Sequence, residues 1–155
     1  MFKMLILKKL SKILHYTKTC LSGTFFFAIK SVMNKSLKLK IINRSNKNTL
    51  MELLNIKYID VGENYLVAKM PVNSKVLQPD KVLHGGASVA LAESVGSAAS
   101  YLFINPVTHT IRGIQISANH LRSVKNGFVF ARANPIHIGK EHIFGKFKLK
   151  IKMTI

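Results

Sequence analysis

One segment limits the possible folds of this chain more than any other: GGASVALAESVGSAASYLFI, residues 85–104. It is poor in β-branched residues and free of proline until Pro106, so it predicts one long helix. Small residues cover nearly all of its surface: Ala87, Ser88, Ala90, Ala92, Ser94, Gly96, Ser97, Ala98, Ala99 and Ser100. A helix that is small or apolar on every side is surrounded by other elements. The segment therefore predicts a central helix wrapped by a strongly curved antiparallel sheet.

Strand-like runs on both sides of this helix can supply the sheet. Residues 56–61 and 65–70 predict a hairpin around the turn at residues 62–64. Three more runs, residues 113–121, 127–138 and 143–155, follow the helix, and Asn134-Pro135 predicts a turn or bulge in the second. Asn48 and Thr49 can cap a short helix before the hairpin. The predicted fold class is α+β.

The first 33 residues form a basic N-terminal extension, and residues 34–155 form the predicted domain. Residues 1–51 contain 11 Lys and Arg and no acid, and their longest uncharged run, residues 19–29, is too short for a membrane-spanning helix of about 20 residues. The extension is interpreted either as translation upstream of a true start at Met33 or as a targeting or membrane-surface segment. Because Cys20 is the single cysteine, no internal disulfide forms, and a cytoplasmic location is expected.

A net charge of +18 raises nucleic acid and anionic membranes as partners. Only four of the 24 basic residues are arginine, whereas phosphate-reading surfaces usually use arginine forks. Nucleic-acid binding and stable membrane insertion are therefore not expected. A basic protein of the membrane surface or of nucleic acid is kept as an alternative function.

Glu93 is the only charged residue between residues 85 and 111. No Lys or Arg lies three or four positions away, where a partner on the same helix would be. A buried glutamate without a partner is costly unless its pKa rises. Ser97, one turn further on, shares its face. This environment favours a catalytic role for Glu93 over a structural one.

His84, Gly85 and Gly86 stand at the predicted start of the helix, where unpaired N–H groups stabilise negative charge. Such a site suits the oxyanion of an acyl-transfer reaction, and Gln78 can hold a carboxylate or water nearby. Together with Glu93, these residues favour hydrolysis of an activated acyl group, with the carboxylate as general base or as nucleophile. A thioester is a more suitable substrate than an amide, because the sequence offers no catalytic triad and no metal-ligand spacing.

These residues resemble the small hotdog-fold acyl-CoA thioesterases, especially the group with the 1,4-dihydroxy-2-naphthoyl-CoA and phenylacetate-pathway enzymes. The similarity is carried by QPDKVLHGGASVALAESVGSAASYLF, GIQISANHLRS and PIHIGKEH. It implies an acyl-CoA thioesterase without a cofactor or metal, acting on an aromatic or medium-sized acyl group. Within that class, 1,4-dihydroxy-2-naphthoyl-CoA of menaquinone biosynthesis is the leading candidate. It also implies a homodimer or homotetramer with each active site at a dimer interface.

The resemblance assigns a role to each site residue. Glu93 is the catalytic carboxylate, the Gly86 N–H polarises the thioester carbonyl, Gln78 and His84 position substrate and water, and Ser97 supports the site. Arg122 and Lys140 meet CoA phosphates. The implied CoA-contacting residues are Gly113, His120, Leu121, Arg122, Ser123, His137, Ile138, Gly139, Lys140, Glu141 and His142.

Two features depart from this family. The N-terminal extension has no counterpart, and the chain ends in one lysine-alternating strand, KFKLKIKMTI, where the family has a further turn and a final strand. A sheet without its last strand would expose an edge. A degenerate hotdog protein that binds acyl-CoA without turnover is therefore kept as a second alternative.

Overall fold

The computed structural model describes residues 1–8 and 34–152. Its helices are α1 (Lys35–Arg44), α2 (Leu50–Leu53) and α3 (Gly85–Ser100), with a 3-10 turn at Ser74–Val76. The strands are β1 (Phe2–Lys8), β2 (Lys57–Gly62), β3 (Tyr65–Pro71), β4 (His109–Ile116), β5 (Phe128–Ile138) and β6 (His142–Lys152). The rest of the N-terminal extension, residues 9–33 with Cys20, and residues 153–155 lie outside the described part.

The six strands form one antiparallel sheet in the order β2-β3-β5-β6-β1-β4. The predicted hairpin is β2–β3, and β5 has its register shift between Pro135 and His137, next to the expected bulge. The open edge expected from a missing last strand is not found at β6. That strand pairs with β5 on one side and with β1 on the other.

The strand β1 was not predicted, because its apolar residues lie in a segment that also carries scattered lysines. In the structure Phe2 and Met4 point into the core, with 2% and 0% of their surface exposed. The Phe2 ring stacks on Phe147 of β6 at 4.4 Å between centroids. Residues 2–8 of the extension are therefore part of the same sheet as residues 57–152.

Helix α3 packs against five strands of the curved sheet, β1, β3, β4, β5 and β6. Its fully buried face consists of Ser88, Leu91, Ala92, Val95, Gly96, Ala99 and Ser100. At Gly96 a Cβ would come within 2.9 Å of the Phe147 ring, so a small residue is needed for this close approach. The prediction of a central, wrapped helix is confirmed, although the helix ends at Ser100 and not at Ile104.

Two local predictions need correction, and one helix was missed. The strand after the helix spans His109–Ile116, and residues 117–121, expected to continue it, run as a loop instead. Thr49 is the N-cap of α2 without a side-chain cap bond, because its hydroxyl donates to the Asn46 carbonyl. Helix α1, which was not predicted, lies on β2, where the Asn43 side chain bonds both the N–H and the carbonyl of Tyr58.

No helix within the described residues has the length and apolar character that a membrane span needs.

Candidate active site

The N-terminal end of α3 carries the first group of predicted site residues. His84 is the N-cap, and its Nδ1 accepts a hydrogen bond from the Gly86 N–H at 2.8 Å. The Gly86 N–H, which the family resemblance assigned to the substrate carbonyl, is therefore already hydrogen-bonded within the chain. One residue earlier, the Gly85 N–H has no hydrogen-bond partner in residues 1–8 or 34–152. Because the first N–H groups of a helix lack intrahelical acceptors, the open donor at this end is that of Gly85.

The loop before α3 fixes this helix start. The His84 N–H donates to the Val76 carbonyl at 2.9 Å, and the Leu83 N–H donates to the Val124 carbonyl at 2.7 Å. The Gln78 backbone closes a tight turn with its N–H on the Val82 carbonyl at 2.9 Å. This turn leaves the half-buried Gln78 beside the first turn of the helix.

A cleft of about 1090 Å³ opens at this end of the molecule. Its lining includes Gln78, Gly85, Ser88 and Ala92 together with the loop of residues 117–124. Four of the residues expected to contact CoA line it: His120, Leu121, Arg122 and Ser123. Lys148 and Lys150 of β6 also line it. These two lysines were not predicted, because the alternation of lysine with apolar residues in β6 is typical of a strand face exposed to solvent.

Glu93 lies in the second half of α3 and is half-buried against β4. The Ser97 hydroxyl donates to its Oε1 at 3.5 Å. On β4, a Cβ at Gly113 would overlap the same Oε1, so the carboxylate rests directly on the strand backbone. Burial raises the pKa of Glu93, and the Ser97 hydrogen bond lowers it by a smaller amount. No Lys, Arg or His in the described ranges forms an ion pair with Glu93.

Residues 137–142 include the end of β5, the β5–β6 turn and the first residue of β6. They lie at the Glu93 end of the molecule. Gly113 on β4 pairs with Met4 on β1, and Met4 in turn pairs with Ile143, directly after the turn. Within the turn, the Gly139 N–H donates to the His142 carbonyl at 2.8 Å. None of the turn residues lines the cleft. At about 3.3 Å per strand residue, His142 and Lys148 of β6 are about 20 Å apart.

The predicted site residues thus form two groups along α3, one at its N-terminus and one beside its second half. The cleft-end group contains Gln78, His84, Gly86, His120, Leu121, Arg122 and Ser123, all of which except His84 and Gly86 line the cleft. The carboxylate group contains Glu93, Ser97, Gly113 and residues 137–142. At 1.5 Å of rise per residue, Gly85 and Glu93 are separated by about 12 Å along the helix axis. The two groups therefore lie more than two helical turns apart within one chain.

The described residues contain no group of three or more His, Cys, Asp or Glu side chains arranged to hold a metal ion. The chemistry available at the two groups is that of a carboxylate, a histidine and a backbone N–H.

The sequence and the fold both match known thioesterases. The thioesterase superfamily model matches residues 80–152. The 1,4-dihydroxy-2-naphthoyl-CoA hydrolase of Escherichia coli is 38% identical over 111 residues, which cover 72% of this chain and 81% of the hydrolase. The proofreading thioesterase EntH of Cronobacter turicensis is 39% identical over 110 residues, which cover 71% of this chain and 80% of EntH.

Solved structures give the same result. A mutant thioesterase of Pseudomonas aeruginosa superimposes with a TM-score of 0.71 at 41% identity, covering 72% of this chain and 81% of the thioesterase. A thioesterase of Haemophilus influenzae superimposes with a TM-score of 0.70 at 40% identity, covering 72% of this chain and 78% of the other.

Proposed function

This chain belongs to the thioesterase superfamily and has its hotdog fold, and on that premise we propose that it hydrolyses an acyl-CoA thioester with Glu93 as the catalytic carboxylate. The observation that carries the proposal is the environment of Glu93. Its carboxylate is half-buried, lacks an ion pair in the described structure, and has a raised pKa. A carboxylate poised in this way is suited to general-base or nucleophilic catalysis.

The reaction needs a base, a site for the developing oxyanion and a leaving thiolate. As a base, Glu93 takes a proton from water while the water oxygen bonds to the thioester carbon; as a nucleophile, its own oxygen forms that bond and water later cleaves the anhydride. In either course the carbonyl oxygen becomes an oxyanion. The carbon–sulfur bond then breaks, and the CoA thiolate takes up a proton.

The donor proposed for that oxyanion is the Gly85 N–H and not the Gly86 N–H. The Gly86 N–H is bonded to His84 Nδ1, whereas the Gly85 N–H is unpaired in the described structure and its residue lines the cleft. A neutral imidazole that accepts at Nδ1 carries its proton on Nε2. His84 is exposed, and its Nε2–H is therefore proposed as a second donor to the substrate or to water.

The active site is proposed to be shared by two protomers. Glu93 and Gly85 of one chain lie about 12 Å apart along α3, which is too far for both to reach one thioester carbon. In a two-fold dimer the Glu93 end of each chain can face the cleft end of the other, so that each pair of ends makes one complete site. The separation between residues 120–123 and residues 137–142 supports the same arrangement for CoA.

The cleft is proposed to take the CoA moiety. Arg122, Lys148 and Lys150 line it and offer cations to the phosphates, and Lys140 is proposed to join them from the partner's β5–β6 turn. An aromatic or medium-sized acyl group is proposed, with 1,4-dihydroxy-2-naphthoyl-CoA first because a hydrolase of that name is 38% identical. A role in menaquinone biosynthesis in the cytoplasm would follow from that substrate.

Thiol release from benzoyl-CoA and from 1,4-dihydroxy-2-naphthoyl-CoA tests this proposal. The wild-type protein should hydrolyse at least one of them, and Glu93→Gln should lower kcat by about 10²- to 10⁴-fold. Glu63→Gln, in the exposed β2–β3 turn, is the matched control and should retain full activity. Binding of both thioesters without thiol release would favour the degenerate acyl-CoA binding protein instead.

A further inference from the structure

Met4 of the N-terminal strand contacts both groups that surround the Glu93 carboxylate. Its Sδ lies 3.8 Å from the Ser97 hydroxyl oxygen, and Ser97 is the hydrogen-bond donor to Glu93. Its Cα pairs with that of Gly113 across β1 and β4, and Gly113 is the backbone on which the carboxylate rests. Met4 is fully buried, with 0% exposure. It is therefore a direct neighbour of both contact partners of Glu93.

The position of β1 makes this contact dependent on the N-terminal segment. β1 separates β4 from β6 and pairs with both. Among the strands that the structure describes, β4, which carries Gly113, therefore pairs only with β1. The strand lies outside residues 80–152, which match the superfamily model. The register also shifts between Lys3 and Met4, directly where Met4 meets Gly113.

We propose that Met4 is a positioning residue for the catalytic carboxylate, acting through Ser97 and through the Gly113 backbone. The inference rests on the proposed role of Glu93 and extends the site to a segment at the other end of the chain. Met4 does not touch substrate in this account. It fixes the height of α3 above β4, and with it the depth at which the Glu93 carboxylate is buried.

In the described structure, the charged side chains on the elements next to Glu93 have other partners. Helix α3 carries no charge besides Glu93. On β1, Lys3 Nζ lies over the Phe144 ring at 5.1 Å. On β4, the Arg112 guanidinium donates to the Ile111 carbonyl at 3.0 Å, and the His109 ring bonds the Thr108 hydroxyl at 2.8 Å. Within one chain, the ionisation of Glu93 is therefore governed mainly by burial and by Ser97.

The test compares Met4→Ala with Met70→Ala. Met70 is equally buried, at 0% exposure, but lies on β3, so both substitutions remove the same volume from the core. Met4→Ala should admit water beside Glu93 and free Ser97 to bond it more closely. Both changes favour the ionised form, so the pKa of Glu93 should fall. Met70→Ala should leave it unchanged.

Two readouts measure this shift. The titration of the Glu93 side-chain carboxyl by ¹³C NMR is resolvable because the chain has only six Asp and Glu. The acidic limb of the kcat profile should move to lower pH in Met4→Ala, with kcat at its plateau reduced about tenfold or more, as expected for a displaced catalytic group. If either alanine variant is not recovered folded, Met4→Leu and Met70→Leu make the same comparison with a smaller loss of volume.

Equal Glu93 titrations in the Met4 and Met70 variants would overturn the proposal. This failure is distinct from failure of the proposed function. A Glu93→Gln variant with wild-type activity would remove the catalytic role, whereas the NMR titration would still report whether Met4 controls the environment of Glu93.

Discussion

The Gly113 backbone on β4 lies directly against the Glu93 carboxylate on α3, so closely that a Cβ at residue 113 would overlap Glu93 Oε1. This contact explains how the helix carries a half-buried acid that has no cationic partner among residues 1–8 and 34–152. The carboxylate lies over the strand instead of entering the apolar core. The absence of a side chain at one position of β4 thus sets the location of the proposed catalytic group.

Replacing Gly113 with alanine should therefore impair catalysis more than folding. The added Cβ must push the carboxylate away, and a displacement of about 1 Å in a catalytic group can cost about 10²-fold in rate. The measurement is kcat for acyl-CoA hydrolysis together with the melting temperature. Gly62→Ala is the matched control, because the atoms nearest to its added Cβ belong to the flexible Tyr65 side chain, at the end of β2 and away from Glu93. Equal activity in both variants would contradict the assigned contact.

The proposed oxyanion donor can be removed as a single N–H. Gly85 is the first residue of α3, where proline is well tolerated, and His84 has the extended backbone (φ −64, ψ 131) that a residue before proline prefers. Gly85→Pro should lower kcat by about 10²- to 10³-fold, as expected when one oxyanion donor is lost. Gly85→Ala keeps the N–H and needs only a shift of the His120 ring, 3.0 Å from the added Cβ. If both variants slow the enzyme equally, crowding and not the N–H is responsible.

The pH dependence of the reaction should follow the ionisation of Glu93. The group must be deprotonated to act as base or nucleophile, and burial raises its pKa above the 4.5 of an unperturbed glutamate. Activity should therefore be lost as the pH falls through this raised pKa. Ser97→Ala removes the hydrogen bond that lowers it, so the acidic limb should move to higher pH.

Ser94→Ala is the control for this shift. Ser94 lies on the same helix, and its hydroxyl donates to the Ala90 carbonyl at 2.7 Å and not to the Glu93 carboxylate. Its acidic limb should coincide with that of the wild type. A limb that moves to lower pH in Ser97→Ala, or equally in both variants, would show that Ser97 does not stabilise the ionised carboxylate.

The buried residues of the N-terminal strand should contribute more to the free energy of unfolding than its exposed ones. Phe2 is stacked on Phe147 and only 2% exposed, so Phe2→Ala should reduce the free energy of unfolding by about 3–5 kcal/mol. Leu7→Ala, on the same strand with 38% of its surface exposed, should cost much less. Urea denaturation measures both. Two equally small losses would mean that β1 does not lie in the sheet.

The central helix, the hairpin and most of the later strands were predictable, because each is encoded by a local pattern. The small residues of α3 require close neighbours, and Phe147 and Phe2 are found against Gly96. The alternation in β6 likewise predicts its strand. The lack of an ion pair at Glu93 was also predictable, since the sequence has no Lys or Arg three or four positions away.

The remaining features depend on contacts between distant parts of the chain. Strand β1 becomes a strand only by pairing with β4 and β6, more than a hundred residues away, and its own lysines mask its apolar pattern. The choice between the Gly85 and Gly86 N–H depends on the orientation of one histidine ring, which spacing cannot give. The contact of Glu93 with Gly113 depends on how α3 lies over β4, and no local sequence pattern determines that position.

The most direct measurement is complementation between two inactive variants. Gly85→Pro damages only the cleft end, and Glu93→Gln damages only the carboxylate end. When they are unfolded, mixed one to one and refolded, half of the dimers should be mixed, and each mixed dimer should contain one intact site. Recovery of about a quarter of the wild-type rate is predicted for a two-fold dimer, whereas a mixture no more active than the two variants alone would contradict an active site shared between protomers.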